Sequence, residues 1–298
     1  MTDELQAEPH CIAQPGVVGI IGTGLMGTAV GLRLLEQGYS LKIWNRNQDE
    51  PQQLLHAGAV WSENPLRECS RVIICLYNSP VVLQVISGML PDMPAGTIAI
   101  DMTTGEPADA DRFARLFDDR QAFYLASPVS GSSHQTRLGE AMVMVGGNRQ
   151  AFEACQDLWT ALTNRVHFTG SNSSASKMKL ITNLVLGLNR AALAEALAFA
   201  EALNVDPRAA LQVLQDSAAA SAVMATKGEK MVTADFSVQA RLNQHLKDVN
   251  IILALAASLS LDLPLSAAHK RLLELAQTLG YGEQDNSAIL RAYQAEKK

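Results

Sequence analysis

Residues 16–38 read GVVGIIGTGLMGTAVGLRLLEQG, and this stretch decides the fold. Its opening run, Gly16–Ile21, is short, apolar and rich in β-branched residues, as strands buried on both faces are. From Leu25 the apolar positions fall at helical spacing, and Gly38 stands where such a helix stops. Between strand and helix lies Gly22-Thr23-Gly24-Leu25-Met26-Gly27, a GxGxxG. Leaving a strand and opening a helix is the context that this motif requires. Glycines permit the tight turn, and the free N–H groups at the helix start can face a pyrophosphate. The expectation is a dinucleotide site built from Gly22, Thr23, Gly24, Leu25, Met26 and Gly27.

Further along, the alternation continues. Ser40–Trp44, Arg71–Leu76, Gly96–Asp101, Ala122–Ala126 and Ala141–Val145 read as strands, with helical connections over Glu106–Phe117 and Asn148–Thr163. Such alternation predicts an α/β, Rossmann-type, doubly wound and mostly parallel sheet. Glycine and proline then thin out: 16 of 20 glycines and nine of 11 prolines lie at or before Gly170. Beyond it, helix formers run from Ser173 to about Leu203, Asp206-Pro207 caps another helix, and Leu242–Ser260 and Pro264–Leu279 read as two more. The expected division is a flexible tail over 1–14, a dinucleotide-binding domain over 15–170, and an all-helical domain over 171–298. The last opens on a long interdomain helix.

Composition agrees with two domains. The chain has 298 residues, 48% hydrophobic and 18% charged, with a net charge of −6. A chain of this length buries about three quarters of its unfolded surface and needs no metal or disulfide to fold. The acidic balance argues against nucleic acid as a partner, because nothing offsets phosphate repulsion. Two stretches lack charge, Cys11–Leu32 and Val72–Pro91, but glycines break the first and Asn78, Ser79, Pro80 and Gln84 the second. Neither offers the roughly 20 apolar residues of a spanning helix, so no membrane is expected. Cys11, Cys69, Cys75 and Cys155 form no framework, which points to reduced thiols and a cytoplasmic protein. No cluster has metal-ligand spacing, so no metal is expected.

The second strand bears on which dinucleotide binds. An NAD site usually ends that strand with a carboxylate for the ribose hydroxyls. Here it ends Trp44-Asn45-Arg46, with no acid before Asp49. Arg46 can pair with a 2′-phosphate and Asn45 can hydrogen-bond, so NADP(H) is the expected cofactor.

Five blocks in order, GIIGTGLMG, DMTTGEP (101–107), SPVSG (127–131), SKMKLITN (176–183) and HLKD (245–248), followed by GYGEQDNSA (280–288), resemble the β-hydroxyacid dehydrogenase family. The resemblance runs from about Val17 to Tyr293. It implies reversible reduction of a small aldehyde- or keto-acid, with a small carboxylate as substrate. By the match, Lys179 looks like the general acid, and Asn183, one turn on, like the partner that orients lysine or substrate. Ser130, Gly131 and Ser132 match the loop that anchors the substrate carboxylate. Thr104 matches the residue beside the nicotinamide, and Thr103 or Thr104 could equally cap the next helix. Lys247 matches the lysine that reaches from the helical domain to cofactor and substrate, and Asp248 reads as a surface partner.

The chain departs from the family at Ala126, Ser132, Ser173, Ala175, Thr182 and Tyr77. Ser132, Ser133, His134 and Gln135 make an unusually polar substrate loop, in which His134 reads as a substrate contact or a solvated residue. Two rivals follow: an imine reductase, a group that generally lacks the lysine, and a non-catalytic NADP-binding module. The family's helical domains build homodimers or homotetramers, and Leu184–Leu203 reads either as such an interface or as the core of its own domain.

Overall fold

The computed structural model describes residues 16–294, so the tail expected over 1–14 lies outside the described residues. Its sheet holds nine strands. They are β1 (Val17–Ile21), β2 (Ser40–Trp44), β3 (Val60–Trp61), β4 (Arg71–Ile74), β5 (Ile98–Asp101), β6 (Phe123–Ala126), β7 (Val129–Ser130), β8 (Met142–Gly147) and β9 (Val166–Gly170). The order is β3-β2-β1-β4-β5-β6-β8-β7, with β9 beside β8. The first six are parallel, and β8 runs antiparallel to β6 and β7. This is a Rossmann-type sheet followed by a helical C-terminal region. The chain reverses its winding between β1 and β4, and ligands of such sheets bind at the carboxyl ends of the strands at that point.

Each face of the sheet is covered. Val30 and Leu34 of the first helix, α1 (Leu25–Glu36), pack with Ile20 and Ile43 on one face. Phe113 and Phe117 pack with Ile74 and Val72 on the other. These side chains are 2% exposed or less, and each such burial contributes about 1.5–3 kcal/mol.

Several elements differ from the sequence expectation. Val129–Ser130 reads as turn but pairs with Val143 and Met142 of β8. Val60–Trp61 and Val166–Gly170 add two strands that the sequence did not reveal. The helix expected over 148–163 is two, Arg149–Glu153 and Gln156–Leu162, because the chain turns at Ala154 and Cys155. Neither Thr103 nor Thr104 caps the helix Pro107–Asp118, whose N-cap is Glu106.

Beyond β9, Ser171 caps a helix of 31 residues, Asn172–Ala202. Its start is pinned to the sheet: Asn172 Oδ1 accepts the N–H of Ala126 at 2.8 Å. Gly146 allows the close approach, since a Cβ there would lie 2.1 Å from the Ser171 carbonyl oxygen. By length and composition alone this helix could cross a membrane. Its Leu193, Ala194 and Leu197 are instead the core of the helical half, against Leu242, Val249 and Leu273.

One buried ion pair organises that half. Asp285 is fully buried, and both its oxygens lie within 2.9 Å of Lys227 Nζ. It also accepts the N–H groups of Gln239, Ala240 and Ser287, fixing the segment that precedes the helix Leu242–Ser258. Removing the lysine strands a carboxylate in the interior. Lys227→Met should cost about 3–5 kcal/mol, measured as a lower urea midpoint at unchanged slope.

Candidate active site

The carboxyl ends of β1 and β4 open into a cleft of about 670 Å³, closed on its far side by the helical half. At the sheet end lies the glycine loop. Gly22 has φ +93°, a conformation that an L side chain rarely adopts, and its N–H donates to the Trp44 carbonyl at 2.8 Å. Gly27 lets α1 sit against the turn, since a Cβ there would come within 1.9 Å of the Gly22 carbonyl oxygen. A Cβ on Gly24 would meet nothing within 4 Å.

Gly24 is the N-cap of α1, without a side-chain cap or an acid in the first turn. Leu25 and Met26 line the same cleft. The positive end of a 12-residue helix therefore faces it bare, a fit for a pyrophosphate. Asn45 is buried: its Oδ1 accepts the N–H of Thr23 at 3.2 Å and its amide donates to Glu50 at 2.8 Å. It thus holds the loop rather than waiting free. Arg46 is exposed beyond β2 and makes no hydrogen bond or ion pair among the described residues.

Deeper in, four residues of the long helix, Lys179, Asn183, Leu186 and Arg190, line the wall. Spacings of four, three and four put them on one face. Lys179 is 7% exposed, and its Nζ donates to Asn183 Oδ1 at 2.7 Å. The Asn183 amide donates to Asp248 Oδ2 at 2.8 Å. Burial pushes the Lys179 amine down to about 8; Asp248 opposes this, and the Lys247 and Arg190 cations add to it.

Asp248 is therefore no surface partner. It is 5% exposed, because the helix Leu242–Ser258 turns it inward beside His245. Lys247 lies 3.0 Å from Asp248 Oδ1 and donates to the carbonyls of Tyr77 at 3.0 Å and Thr104 at 2.6 Å. It clasps the helical half to the loops after β4 and β5, at the rim of the cleft.

The anchor loop divides. Gly131 lines the cleft, and Ala141 leaves no room for a side chain there, at 2.7 Å from a built Cβ. Ser130 is half-buried in β7. Ser132 caps the helix Ser133–Leu138 in a capping box with Gln135, and Ser133 lines the cleft in its place. His134 is exposed. Thr104 lines the cleft, while the Thr103 hydroxyl accepts the Leu76 N–H at 3.0 Å. Sequence reasoning missed Arg190, His245 and Asn286 in this wall, which only the packing of the helical half assembles.

Comparison with known proteins agrees with this geometry. Residues 17–170 match the family model for the NAD binding domain of 6-phosphogluconate dehydrogenase. Residues 173–293 match that for the NAD-binding of NADP-dependent 3-hydroxyisobutyrate dehydrogenase. The 2-hydroxy-3-oxopropionate reductase of Escherichia coli is 31% identical over 92% of this chain and 96% of its own length. The cytokine-like nuclear factor N-PAC of Anopheles gambiae is 28% identical over 91% of this chain, which spans about half (49%) of that relative. A 3-hydroxyisobutyrate dehydrogenase structure from Salmonella typhimurium superposes with a TM-score of 0.85 at 26% identity, covering 92% of this chain and 99% of its own. An imine reductase from Pseudomonas, 22% identical over 93% and 99% with a TM-score of 0.66, shares the fold.

Fold and site define a nicotinamide-dependent oxidoreductase, a Rossmann-type sheet followed by a helical C-terminal region. The chain belongs to the β-hydroxyacid dehydrogenase family.

Gly24 separates folding from binding. An aspartate there caps α1 at least as well as glycine and adds a negative charge where the pyrophosphate would lie. Gly24→Asp should keep or slightly raise Tm while weakening both NADPH and NADH at least tenfold, measured by nucleotide fluorescence.

Proposed function

We propose that the protein is an NADPH-dependent reductase, reversible as a dehydrogenase, of a small aldehyde- or keto-acid. The observation that carries the reading is the buried chain Lys179–Asn183–Asp248 on the wall of a cleft whose mouth is the glycine loop. When bound, the reduced nicotinamide supplies a hydride. The chain's residues do the rest. Lys179 holds a proton at Nζ for the oxygen of the substrate carbonyl, Asn183 fixes the amine, and Asp248 fixes Asn183. Gly131, with Ser133 beside it, offers close backbone and hydroxyl groups to a carboxylate.

The exposed Arg46 supports NADP(H) over NAD(H), since the strand itself ends without an acid and Glu50, which folds back there, is held by the Asn45 amide. The imine reductase likeness is one of fold, and a buried lysine poised to donate to oxygen favours carbonyl reduction. The same lysine stands against a non-catalytic NADP-binding module. Met178, Ile181 and Val185 are exposed along the long helix, so a homodimer or homotetramer through the helical half would cover them. The uncrosslinked Cys69, Cys75 and Cys155 fit a cytoplasmic setting.

The decisive assay follows NADPH absorbance over glyoxylate, succinic semialdehyde, tartronate semialdehyde and cyclic imines. An aldehyde acid should turn over, and Lys179→Ala should lower kcat about 10²–10⁴-fold. Undiminished turnover by that variant would remove the proton-transfer role. Because the ammonium form donates, kcat for reduction should fall as pH rises through about 8, and oxidation should fall as pH drops below it. Separately, Arg46→Ala should weaken NADPH at least tenfold more than NADH in fluorescence titrations, whereas equal losses would overturn the cofactor preference.

A further inference from the structure

Arg190 lies on the cleft-lining face of the long helix, 11 residues beyond Lys179. It is 3% exposed and takes part in no hydrogen bond or ion pair among the described residues. Its Nε and Nη1 are buried without a partner. A buried guanidinium ordinarily has a carboxylate against it, because an unpaired charge in the interior costs several kcal/mol.

The candidates for that role are occupied. Asp285, the acid whose charge acts on Arg190, is filled by Lys227, by the N–H groups of Gln239, Ala240 and Ser287, and by the Ser287 hydroxyl. Asp248 holds Asn183 and faces Lys247. The remaining neighbours add no negative charge. His245 stacks on His269 with ring centroids 5.2 Å apart, and Nε2 of each is also without a partner. Burial, with Arg190 beside them, keeps both imidazoles neutral, His269 titrating near about 4.

The helix fixes the order of groups along the cleft. It leaves the sheet at Asn172, reaches Lys179 after two turns and Arg190 after three more. A long side chain leans toward the N-terminus of its helix, which for Arg190 is the direction of the lysine. The glycine loop and the Gly131 anchor lie at the sheet end; Arg190 lies beyond the proton donor, at the other. Two cations flank the place where the reacting carbonyl would sit, and one of them has nothing to pair with.

We propose that Arg190 is the anchor for a second anionic group, so that the substrate is a compact oxo acid carrying a further carboxylate, beyond the carbonyl that is reduced. This deepens the reductase reading and rests on it only for the word substrate. Anion binding at Arg190 is measurable without turnover.

The test is calorimetry on the protein with NADP+ present, using malonate, succinate and glutarate against propionate, butyrate and valerate. At least one dicarboxylate should bind 50-fold or more tighter than its monocarboxylate match. Arg190→Met should abolish that preference, and Arg190→Lys should restore part of it. Removing an unpaired buried charge should also leave the Tm of the ligand-free protein equal or higher. Equal affinity for mono- and dicarboxylates in the wild type would overturn the proposal. So would an Arg190→Met protein of lower Tm that keeps the preference, which would make the arginine structural. If dicarboxylates bind through Arg190 but oxaloacetate and 2-oxoglutarate leave NADPH unconsumed while a one-carboxylate aldehyde acid turns over, the substrate assignment fails and the reductase reading stands. If no oxo acid of either kind turns over, the reductase reading fails and the anion site stands.

Discussion

A lysine ammonium removed from water governs how the two halves meet. Lys179 sits on a helix that must continue from the sheet into the helical half, so its charge is buried by docking and by nothing local. Asn183 satisfies one of its protons, Asp248 satisfies Asn183, and Lys247 faces Asp248 while clasping the carbonyls of Tyr77 and Thr104. Two links stay within a helix, Lys179 to Asn183 and Lys247 to Asp248; Asn183 to Asp248 joins the two helices, and Lys247 reaches the loops after β4 and β5. Pulling the halves apart would break that clasp. A half-satisfied buried network is costlier than none, so this chain specifies one docking geometry rather than a range. The cleft keeps its shape for the same reason.

Much of the sheet was legible because its signals are local. β1, the glycine turn, α1 and β2 follow from short apolar runs and three glycines, of which Gly22 and Gly27 have a steric reason to be glycine. The long helix was legible from the absence of breakers. Val129–Ser130 was not, because Pro128 and Gly131 mark a turn while the pairing that makes it a strand comes from β8, a dozen residues on. The site divided along the same line. Lys179 and Asn183 share a helix face, which spacing reveals. Asp248 and Arg190 look like surface charges in the sequence, and only the tertiary packing buries them. Ser132 carries the opposite lesson, since a serine three residues before a glutamine is a capping box before it is a ligand.

Net charge and local charge point in different directions here, and the difference is informative. A chain of net −6 repels polyanions at a distance, yet the bare end of α1, Lys179 and Arg190 all line one cleft. Several cations outside the cleft are paired with a carboxylate: Lys227 with Asp285, Arg71 with Asp157, Arg208 with Glu229. In the cleft, Lys179 is held by a neutral amide and Arg190 has no partner among the described residues, an arrangement that costs stability in the free protein.

Fold likeness alone could not separate the readings. An imine reductase and a 3-hydroxyisobutyrate dehydrogenase both superpose on this chain over more than nine tenths of its length. What a shared scaffold supplies is a cofactor loop and a closed cleft, and both chemistries need those equally. They part at the atom that receives the proton. A carbonyl oxygen becoming an alkoxide needs a donor that still holds its proton near neutral pH and gives it up readily. A lysine titrating near about 8 meets both demands, because burial has lowered it and Asp248 has kept it from falling further. A pre-formed iminium, already protonated, needs no such donor, whereas a neutral imine must take its proton at nitrogen. On the proposed reading, the burial of Lys179 serves the reaction as well as the fold.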